Sequence, residues 1–127
     1  MKFYKCKVCG KIITILDGND NIPTFCCGEE MKEYLPNTTE GAGEKHLPVY
    51  SYKDKYLLEV MVGQIIHPSM ENHYIEWILL ETDKGHYFKN LKWSDTPIVD
   101  FKLNIEEKPI AIYELCNLHG LWKTLIK

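Results

Sequence analysis

Cysteines and histidines are the residues of this chain whose types and spacing could bind a transition metal. Cys116 and His119 stand three positions apart, and a glycine follows directly. Three further histidines lie upstream among turn-forming residues: His46, His67 and His73. Thiolate and neutral imidazole are ligands for first-row transition metals. We therefore expect these five residues to share one metal ion.

The number of candidate ligands indicates which metal this would be. A structural zinc takes four ligands in a closed tetrahedron, whereas four imidazoles and one thiol are present here. Four imidazoles in a plane with an axial thiolate would leave one octahedral position open. This arrangement suits iron in small-molecule redox chemistry, because an axial thiolate increases the electron density on iron. Zinc and copper are the alternatives. The fifth histidine, His86, follows a hairpin glycine without a companion, and we expect it to be an ordinary surface residue.

The remaining four cysteines form two pairs near the N-terminus. Cys6 and Cys9 enclose two residues and precede a glycine, so this turn can direct both thiolates at one ion. Cys26 and Cys27 are adjacent, which is unusual because zinc ribbons normally use two C-x-x-C turns. Adjacent side chains tend to point apart, so we expect a four-cysteine metal site with a distorted tetrahedron. A plain structural zinc is the alternative to a redox metal.

The composition is that of a folded protein. The chain has 127 residues, of which 45% are hydrophobic and 26% charged, and its net charge is -3. Such a charge gives no basic field for nucleic acid or an anionic membrane. No apolar run reaches the roughly 20 residues of a membrane span, and the first residues lack the apolar core of a signal peptide. We expect a cytoplasmic protein, in which five cysteines favour metal binding over disulfides.

The predicted elements divide the chain into domains 1–36 and 37–127. The first is too small to be stable through a hydrophobic core alone, so it needs a metal or a partner subunit, and we expect a homodimer. Residues 37–44 are polar and contain glycine, as in a linker. The rest is mainly β, and its seven predicted strands are Val49–Tyr52, Tyr56–Val62, Tyr74–Thr82, His86–Leu91, Ile98–Leu103, Ile110–Leu115 and Leu121–Ile126. This succession of short strands indicates an immunoglobulin-like β-sandwich.

Together these features resemble the superoxide reductase family in its two-iron form, desulfoferrodoxin. The resemblance covers nearly the whole chain. The matching segments are Glu44-Lys45-His46-Leu47-Pro48, His67-Pro68, His73-Tyr74-Ile75, Cys116-Asn117-Leu118-His119-Gly120, and Cys6-x-x-Cys9 with Cys26-Cys27. Because all four N-terminal cysteines are present, the resemblance implies a small desulforedoxin-like domain followed by the immunoglobulin-like sandwich.

The resemblance also implies an activity, which is the reduction of superoxide by one electron and two protons to hydrogen peroxide. It implies two iron ions per chain, with the four-cysteine iron as a secondary electron-transfer centre and a rubredoxin-type protein as electron donor to a dimeric enzyme. The implied roles at the other iron are His46, His67, His73 and His119 as equatorial ligands, Cys116 as axial ligand, Glu44 in the sixth position of the oxidised resting state, and Lys45 beside the open position.

Two other functions are compatible with the residues alone. An electron-transfer protein would use both irons to relay charge and needs no open coordination position, so binding of azide or cyanide at the histidine-bound iron would argue against it. A binding module stabilised by zinc would hold a colourless metal, whereas iron–thiolate sites absorb visible light. The visible spectrum of the oxidised and reduced protein, with its metal content, therefore separates these functions.

Overall fold

The N-terminal unit consists of short antiparallel strands that carry the cysteine-bearing turns. A computed structural model describes residues 1–127, and the chain forms two units, Met1–Leu35 and Pro36–Lys127. The strands of the first unit are β1 (Phe3–Lys5), β2 (Ile12–Thr14), β3 (Phe25–Cys26), β4 (Glu29–Glu30) and β5 (Lys32–Glu33). β1 lies between β2 and β5 in one sheet, and β3 pairs with β4. Apart from Cys6, the buried apolar side chains of this unit are Phe3 and Met31, so its hydrophobic core is small.

The second unit begins with one helical turn and continues with seven strands. The turn, α1 (Gly43–His46), is closed by a hydrogen bond of 2.8 Å from the Leu47 N–H to the Gly43 carbonyl. The strands are β6 (Pro48–Asp54), β7 (Leu57–Val62), β8 (Ile75–Thr82), β9 (His86–Asn90), β10 (Ile98–Lys102), β11 (Pro109–Cys116) and β12 (Gly120–Leu125). The sequence predicts these strands to within one or two residues at each end. It does not predict α1, because a single turn is too short to show a helical hydrophobic period.

Two antiparallel sheets make up the sandwich, with strand orders β10-β7-β6 and β12-β11-β8-β9. Alternate side chains of β7, Leu58, Val60 and Val62, are fully buried. They belong to one hydrophobic cluster with Ile78 of β8 and Ile112 of β11. A period of two is expected where one face of a sheet packs on a core. The predicted mainly β fold class is thus confirmed. The chain forms no helix with the length and apolar character that crossing a bilayer requires.

The strand register brings the loops that carry the candidate ligands to one end of the sandwich. In the first sheet, Pro48 at the start of β6 is paired with Val62 at the end of β7. In the second sheet, Cys116 at the end of β11 is paired with Ile75 at the start of β8 and with Gly120 at the start of β12. Val62, Ile75 and Cys116 belong to the same core cluster. The loops of both sheets therefore meet at this end.

Candidate metal centres

The four cysteines of the first unit converge on one point. The sulfurs of this group, Cys6, Cys9, Cys26 and Cys27, all lie within 4.8 Å of one another. The Sγ–Sγ distance is 3.7 Å between Cys9 and Cys26 and 3.9 Å between Cys26 and Cys27. Metal–sulfur bonds of about 2.3 Å in a tetrahedron place the sulfurs about 3.8 Å apart. The group therefore has the spacing of a four-cysteine metal site.

The backbone conformation explains how the adjacent cysteines reach the same point. Cys26 ends β3, and Cys27 follows in the left-handed region with a φ of 53°, before Gly28 with a φ of 76°. This turn directs the second thiol toward the first, so the expectation that adjacent side chains point apart is wrong for this pair. In a regular strand, adjacent side chains point to opposite faces of the sheet. Cys27 lies in the β3–β4 turn in the left-handed conformation, so its side chain does not follow this alternation.

The thiols of this group differ in their acidity. Hydrogen bonding from the Cys9 backbone N–H, which lies 3.5 Å from the Cys6 sulfur, lowers the pKa of Cys6 to about 6, against the effect of its burial. Hydrogen bonding to the Cys6 and Cys9 thiols raises the pKa of Cys26, and hydrogen bonding to Cys9 and Cys26 raises the pKa of Cys27 to about 12. One thiolate is therefore stabilised at neutral pH, and a metal cation would replace the protons of its neighbours.

A second group of donors lies at the end of the sandwich. The donor atoms of His46, His67, His73 and Cys116 are all within 4.8 Å of one another. His46 ends α1, His67 and His73 lie in the loop between β7 and β8, and Cys116 ends β11. His46, His67 and Cys116 are buried, with exposed fractions of 3%, 2% and 1%. The structure thus brings together residues that the sequence places in three separate segments, whereas His86 is exposed on β9.

Hydrogen bonds to carbonyl oxygens fix the orientation of two of these imidazoles. The His46 Nδ1–H donates to Ala42 O and the His67 Nδ1–H donates to Pro68 O, both at 2.8 Å. Because a carbonyl can only accept, Nδ1 carries the proton of each neutral ring and Nε2 carries a lone pair. Burial lowers the pKa of His46, and it lowers the pKa of His67 to about 4. Both rings are therefore neutral at physiological pH, and their Nε2 lone pairs are available to a metal.

The donor atoms of this group fit a transition-metal ion. His73 Nε2 is buried without a hydrogen-bond partner in the protein, and a cation would supply one. His67 Nε2 lies 3.3 Å from Cys116 Sγ. Nitrogen and sulfur ligands bound at right angles, at about 2.1 and 2.3 Å from a metal, are about 3.1 Å apart. The measured distance is close to this value.

His119 lies beside this group but outside the set of donors that are mutually close. Its Nδ1 is 3.1 Å from His46 Nε2 and 3.9 Å from Cys116 Sγ. Its ring centroid is 5.0 Å from that of His73. Two nitrogen ligands at right angles are about 3.0 Å apart, so the contact with His46 has a suitable length. The assignment of His119 as a ligand stays a prediction.

The sulfur of Cys116 lies in an apolar environment. Burial raises the pKa of its thiol and the charges of Glu114 and Glu76 add to this effect, whereas backbone N–H groups of His119 and Leu118 lower it. Glu114 is fully buried and neither of its carboxylate oxygens has a hydrogen-bond partner. Burial holds the pKa of Glu114 well above its ordinary value. A thiolate at Cys116 consequently depends on a nearby cation.

The two residues that precede His46 lie at the exposed edge of the site. Both Glu44 and Lys45 are exposed. Burial lowers the pKa of His46 and of His73, and the charge on Lys45 contributes to both shifts, so its ammonium group acts on both rings. The Glu44 carbonyl accepts a hydrogen bond of 2.9 Å from the Ile65 N–H, which fastens α1 to the loop that carries His67. The roles of Glu44 and Lys45 stay predictions.

Residues that support the ligands were not predicted from the sequence. Trp122 stacks on His46, and the Asn117 side chain forms hydrogen bonds to the backbone on both sides of His73. An indole in an apolar strand and an amide in a loop occur in many folded proteins, so their residue types carry no signal of a metal site.

Comparison with known proteins gives matches that include both units. A family model described as Desulfoferrodoxin matches residues 38–125. The desulfoferrodoxin of Nitratidesulfovibrio vulgaris is 42% identical over 124 residues, which are 96% of this chain and 94% of that relative. The superoxide reductase of Pyrococcus horikoshii is 35% identical over 103 residues, which cover 67% of this chain and 88% of that relative. The crystal structure of the superoxide reductase from Treponema pallidum has a TM-score of 0.78 at 31% identity, over 97% of both chains.

Proposed function

This chain belongs to the desulfoferrodoxin family, and we propose that it is a superoxide reductase with two iron centres. The proposed reaction adds one electron and two protons to superoxide and yields hydrogen peroxide. Two observations support the proposal. A relative and a similar solved structure are named superoxide reductase, and the histidines with Cys116 form a donor set for a redox metal.

We assign the reaction to the histidine–cysteine group at the end of the sandwich. The residues that would hold the iron are His46, His67, His73, His119 and Cys116. Iron bound there would supply the electron that superoxide accepts at the coordination position left open. The observation that carries this proposal is the convergence of the imidazole nitrogens of His46, His67 and His73 with Cys116 Sγ, where the buried His73 Nε2 has no hydrogen-bond partner in the protein.

Carbonyl and backbone N–H groups of the protein prepare three of these donors to bind a metal. The carbonyls of Ala42 and Pro68 hold the Nδ1 protons of His46 and His67, which leaves both Nε2 atoms free of protons. Backbone N–H groups of Leu118 and His119 favour negative charge on the buried sulfur of Cys116. Such hydrogen bonds beyond the ligands orient a metal's ligands and tune their basicity.

Glu44 and Lys45 are the proposed catalytic residues outside the ligand set. Lys45 is exposed and its charge acts on the His46 and His73 rings, so it would attract the superoxide anion to the open position. This local attraction matters because the whole chain has a net charge of -3. We propose that the Glu44 carboxylate would be a further ligand of the iron in its oxidised state.

We further propose that the four-cysteine group holds the second iron, which acts as an electron-transfer centre. The sulfur spacing of 3.7 to 3.9 Å and the absence of disulfides are compatible with this role. The proposed electron donor is a rubredoxin-type protein, and the proposed compartment is the cytoplasm, where thiols stay reduced. A homodimer is proposed because the first unit has a small core, and light scattering at concentrations near those in the cell tests it.

Superoxide reduction by the iron-loaded protein tests the proposed function. We expect the ferrous protein to consume superoxide generated by pulse radiolysis and to release hydrogen peroxide. Cys116→Ser should abolish both this reaction and the sulfur-to-iron charge-transfer band, while the circular dichroism of the strands is unchanged. Wild-type protein that binds iron but forms no more hydrogen peroxide than a metal-free sample would contradict the function. A serine variant that kept the band would contradict the assignment of Cys116.

The two centres should also be separable, since their ligands lie in different units and do not overlap. Cys9→Ser should alter or remove the absorption of the four-cysteine iron and leave the Cys116-to-iron band in place. Parallel loss of both bands in this variant would show that the two groups do not bind metal independently.

A further inference from the structure

Trp122 in β12 contacts two candidate ligands that come from distant parts of the chain. Its indole stacks on the His46 imidazole, with the ring centroids 4.9 Å apart and the planes at 21°. Its Nε1–H donates a hydrogen bond of 3.0 Å to the carbonyl oxygen of His119. The Thr39 hydroxyl donates to the same oxygen, so the backbone at His119 is held from two sides.

The space around the two stacked rings is closed by the segment before α1. The His46 Nδ1–H donates to Ala42 O, which fixes the rotation of the imidazole. Gly41 adopts a φ of +153°, and a Cβ added there would lie 3.2 Å from His46 Cε1 and 3.3 Å from Trp122 Cζ2. Both contacts would be tighter than ordinary van der Waals distances. The imidazole of His46 therefore has little freedom to tilt without moving the indole.

We propose that Trp122 is a positioning residue that fixes His46 Nε2 and His119 Nδ1 at the spacing a metal requires. One face of the indole fixes the plane of the His46 imidazole, and its N–H holds the backbone of the loop that carries His119. The two nitrogens lie 3.1 Å apart, close to the roughly 3.0 Å between ligands bound at right angles to a first-row metal. The inference rests on the proposed iron centre, and it adds a residue that no ligand motif includes.

A role limited to filling the core would give different properties. Trp122 is only 5% exposed, so any smaller side chain there costs stability whether or not it positions ligands. Positioning predicts an additional effect on the metal itself, because residues beyond the direct ligands commonly change metal affinity by roughly 10- to 100-fold. The wavelength of the Cys116-to-iron band and the midpoint potential of this iron should change as well, and loss of packing elsewhere in the sandwich would not alter them.

The test compares Trp122→Phe and Trp122→Leu with Trp77→Phe and Trp77→Leu as matched controls. Trp77 lies half-buried on β8, where its ring is 5.4 Å from that of Phe88. Phenylalanine at position 122 keeps a ring to stack on His46 but removes the N–H that holds His119, and leucine removes both. Each iron-loaded variant is titrated with a chelator while the Cys116-to-iron band is followed, and its potential and thermal midpoint are measured.

We expect iron affinity to fall by roughly 10-fold in Trp122→Phe and by up to roughly 100-fold in Trp122→Leu. The band and the potential should shift in both variants, while the Trp77 variants lose thermal stability alone. Wild-type affinity, band and potential in Trp122→Phe would overturn the link between the two ligands, and this variant decides the question even if Trp122→Leu fails to fold. Equal effects in the Trp122 and Trp77 series would also overturn it. Wild-type protein that bound no iron at this site would overturn the proposed function as well.

Discussion

Asn117 and Tyr74 are joined by two hydrogen bonds between the Cys116 loop and the start of β8. The Asn117 N–H donates to the Tyr74 carbonyl at 3.2 Å, and the Tyr74 N–H donates to Asn117 Oδ1 at 2.9 Å. Asn117 Nδ2 also donates to Asn72 O at 3.1 Å. One side chain therefore binds the backbone on both sides of His73, directly after Cys116.

Asn117→Ala should weaken both the histidine–cysteine centre and the fold. The variant loses the two side-chain hydrogen bonds that hold the His73 loop, which together stabilise the protein by about 1–3 kcal/mol. Metal affinity at this centre should fall by roughly 10-fold, measured by chelator competition. Asn90→Ala, at the exposed end of β9, is the control and should change neither quantity. Unchanged metal affinity in Asn117→Ala would show that the His73 loop does not need this side chain.

Gly63→Ala should displace the segment that carries Glu44 and Lys45. Gly63 has a φ of +87°, and a Cβ there would lie 2.3 Å from the Ile65 carbonyl oxygen and 2.7 Å from the Lys45 carbonyl oxygen. Both are backbone atoms, so the overlap can be relieved only by shifting the main chain, and we expect the free energy of unfolding to fall by about 2–4 kcal/mol. Denaturant unfolding measures it.

Gly85→Ala is the control for this substitution. Gly85 also has a positive φ, +155°, but a Cβ there meets no atom within 4 Å. The loss of stability in Gly85→Ala therefore measures the cost of the positive φ alone, without a steric overlap. Similar losses of stability in the two variants would mean that the close approach at Gly63 is relieved without cost.

Lys45→Ala should slow the reaction of the ferrous protein with superoxide and flatten its dependence on ionic strength. Charge that lines a site can raise association rates by roughly 10- to 10³-fold, and salt weakens the effect. Pulse radiolysis across a salt series measures both quantities, with iron content and visible spectrum as checks. Lys84→Ala makes the same change in net charge beyond the far end of β8 and should leave the rate nearly unchanged. If Lys45→Ala reacted at the wild-type rate with the wild-type dependence on ionic strength, Lys45 would not attract superoxide to the site.

Glu107 should stabilise the sandwich in a pH-dependent manner. Burial alone would raise the pKa of Glu107, but hydrogen bonds from Thr82, Tyr87 and Asn104 outweigh burial and lower it. Thr82 Oγ1 donates at 2.6 Å and the Asn104 N–H at 3.0 Å. A carboxyl group whose pKa is lowered by folding contributes stability above its unfolded pKa of about 4.3, and this contribution is lost as the pH falls through the folded value.

We therefore expect Glu107→Gln to be less stable than the wild type at neutral pH, by about 1–2 kcal/mol. The difference should shrink as the pH falls through the lowered pKa of Glu107. Thermal unfolding from neutral to acidic pH measures it, with Glu106→Gln at the exposed neighbouring position as control. A difference between wild type and Glu107→Gln that did not change with pH would contradict the origin assigned to this stability.

The sequence predicted the strands and the ligand-bearing segments for separate physical reasons. The strands were predicted from runs of aromatic and β-branched residues, which requires no knowledge of neighbouring strands. His67 and Cys116 were recognisable because imidazole and thiol are uncommon side chains that both bind metals. The sequence also predicted that Cys26 and Cys27 share one site, but not how they reach it, since this depends on the left-handed backbone of Cys27.

Supporting residues are harder to predict because their effect depends on geometry rather than residue type. Asn117 acts through the direction of its amide toward Asn72 and Tyr74, and Trp122 through the plane of its ring. Glu114 is the clearest case. A glutamate is ordinarily expected at the surface, yet this side chain is fully buried. These placements depend on the register of β11 with both of its neighbours, which the sequence does not specify.

The ligands at the end of the sandwich are divided between its two sheets. His46 and His67 flank strands of one sheet, while His73 and Cys116 flank strands of the other. A metal held by all of them is a cross-link between the sheets, so the sheets cannot separate until metal–ligand bonds break. A ligand that binds only the folded state adds about 4 kcal/mol of stability at a free concentration 1,000 times its dissociation constant. The survival of this protein in a cell, and its resistance to proteases, should therefore depend on the supply of metal.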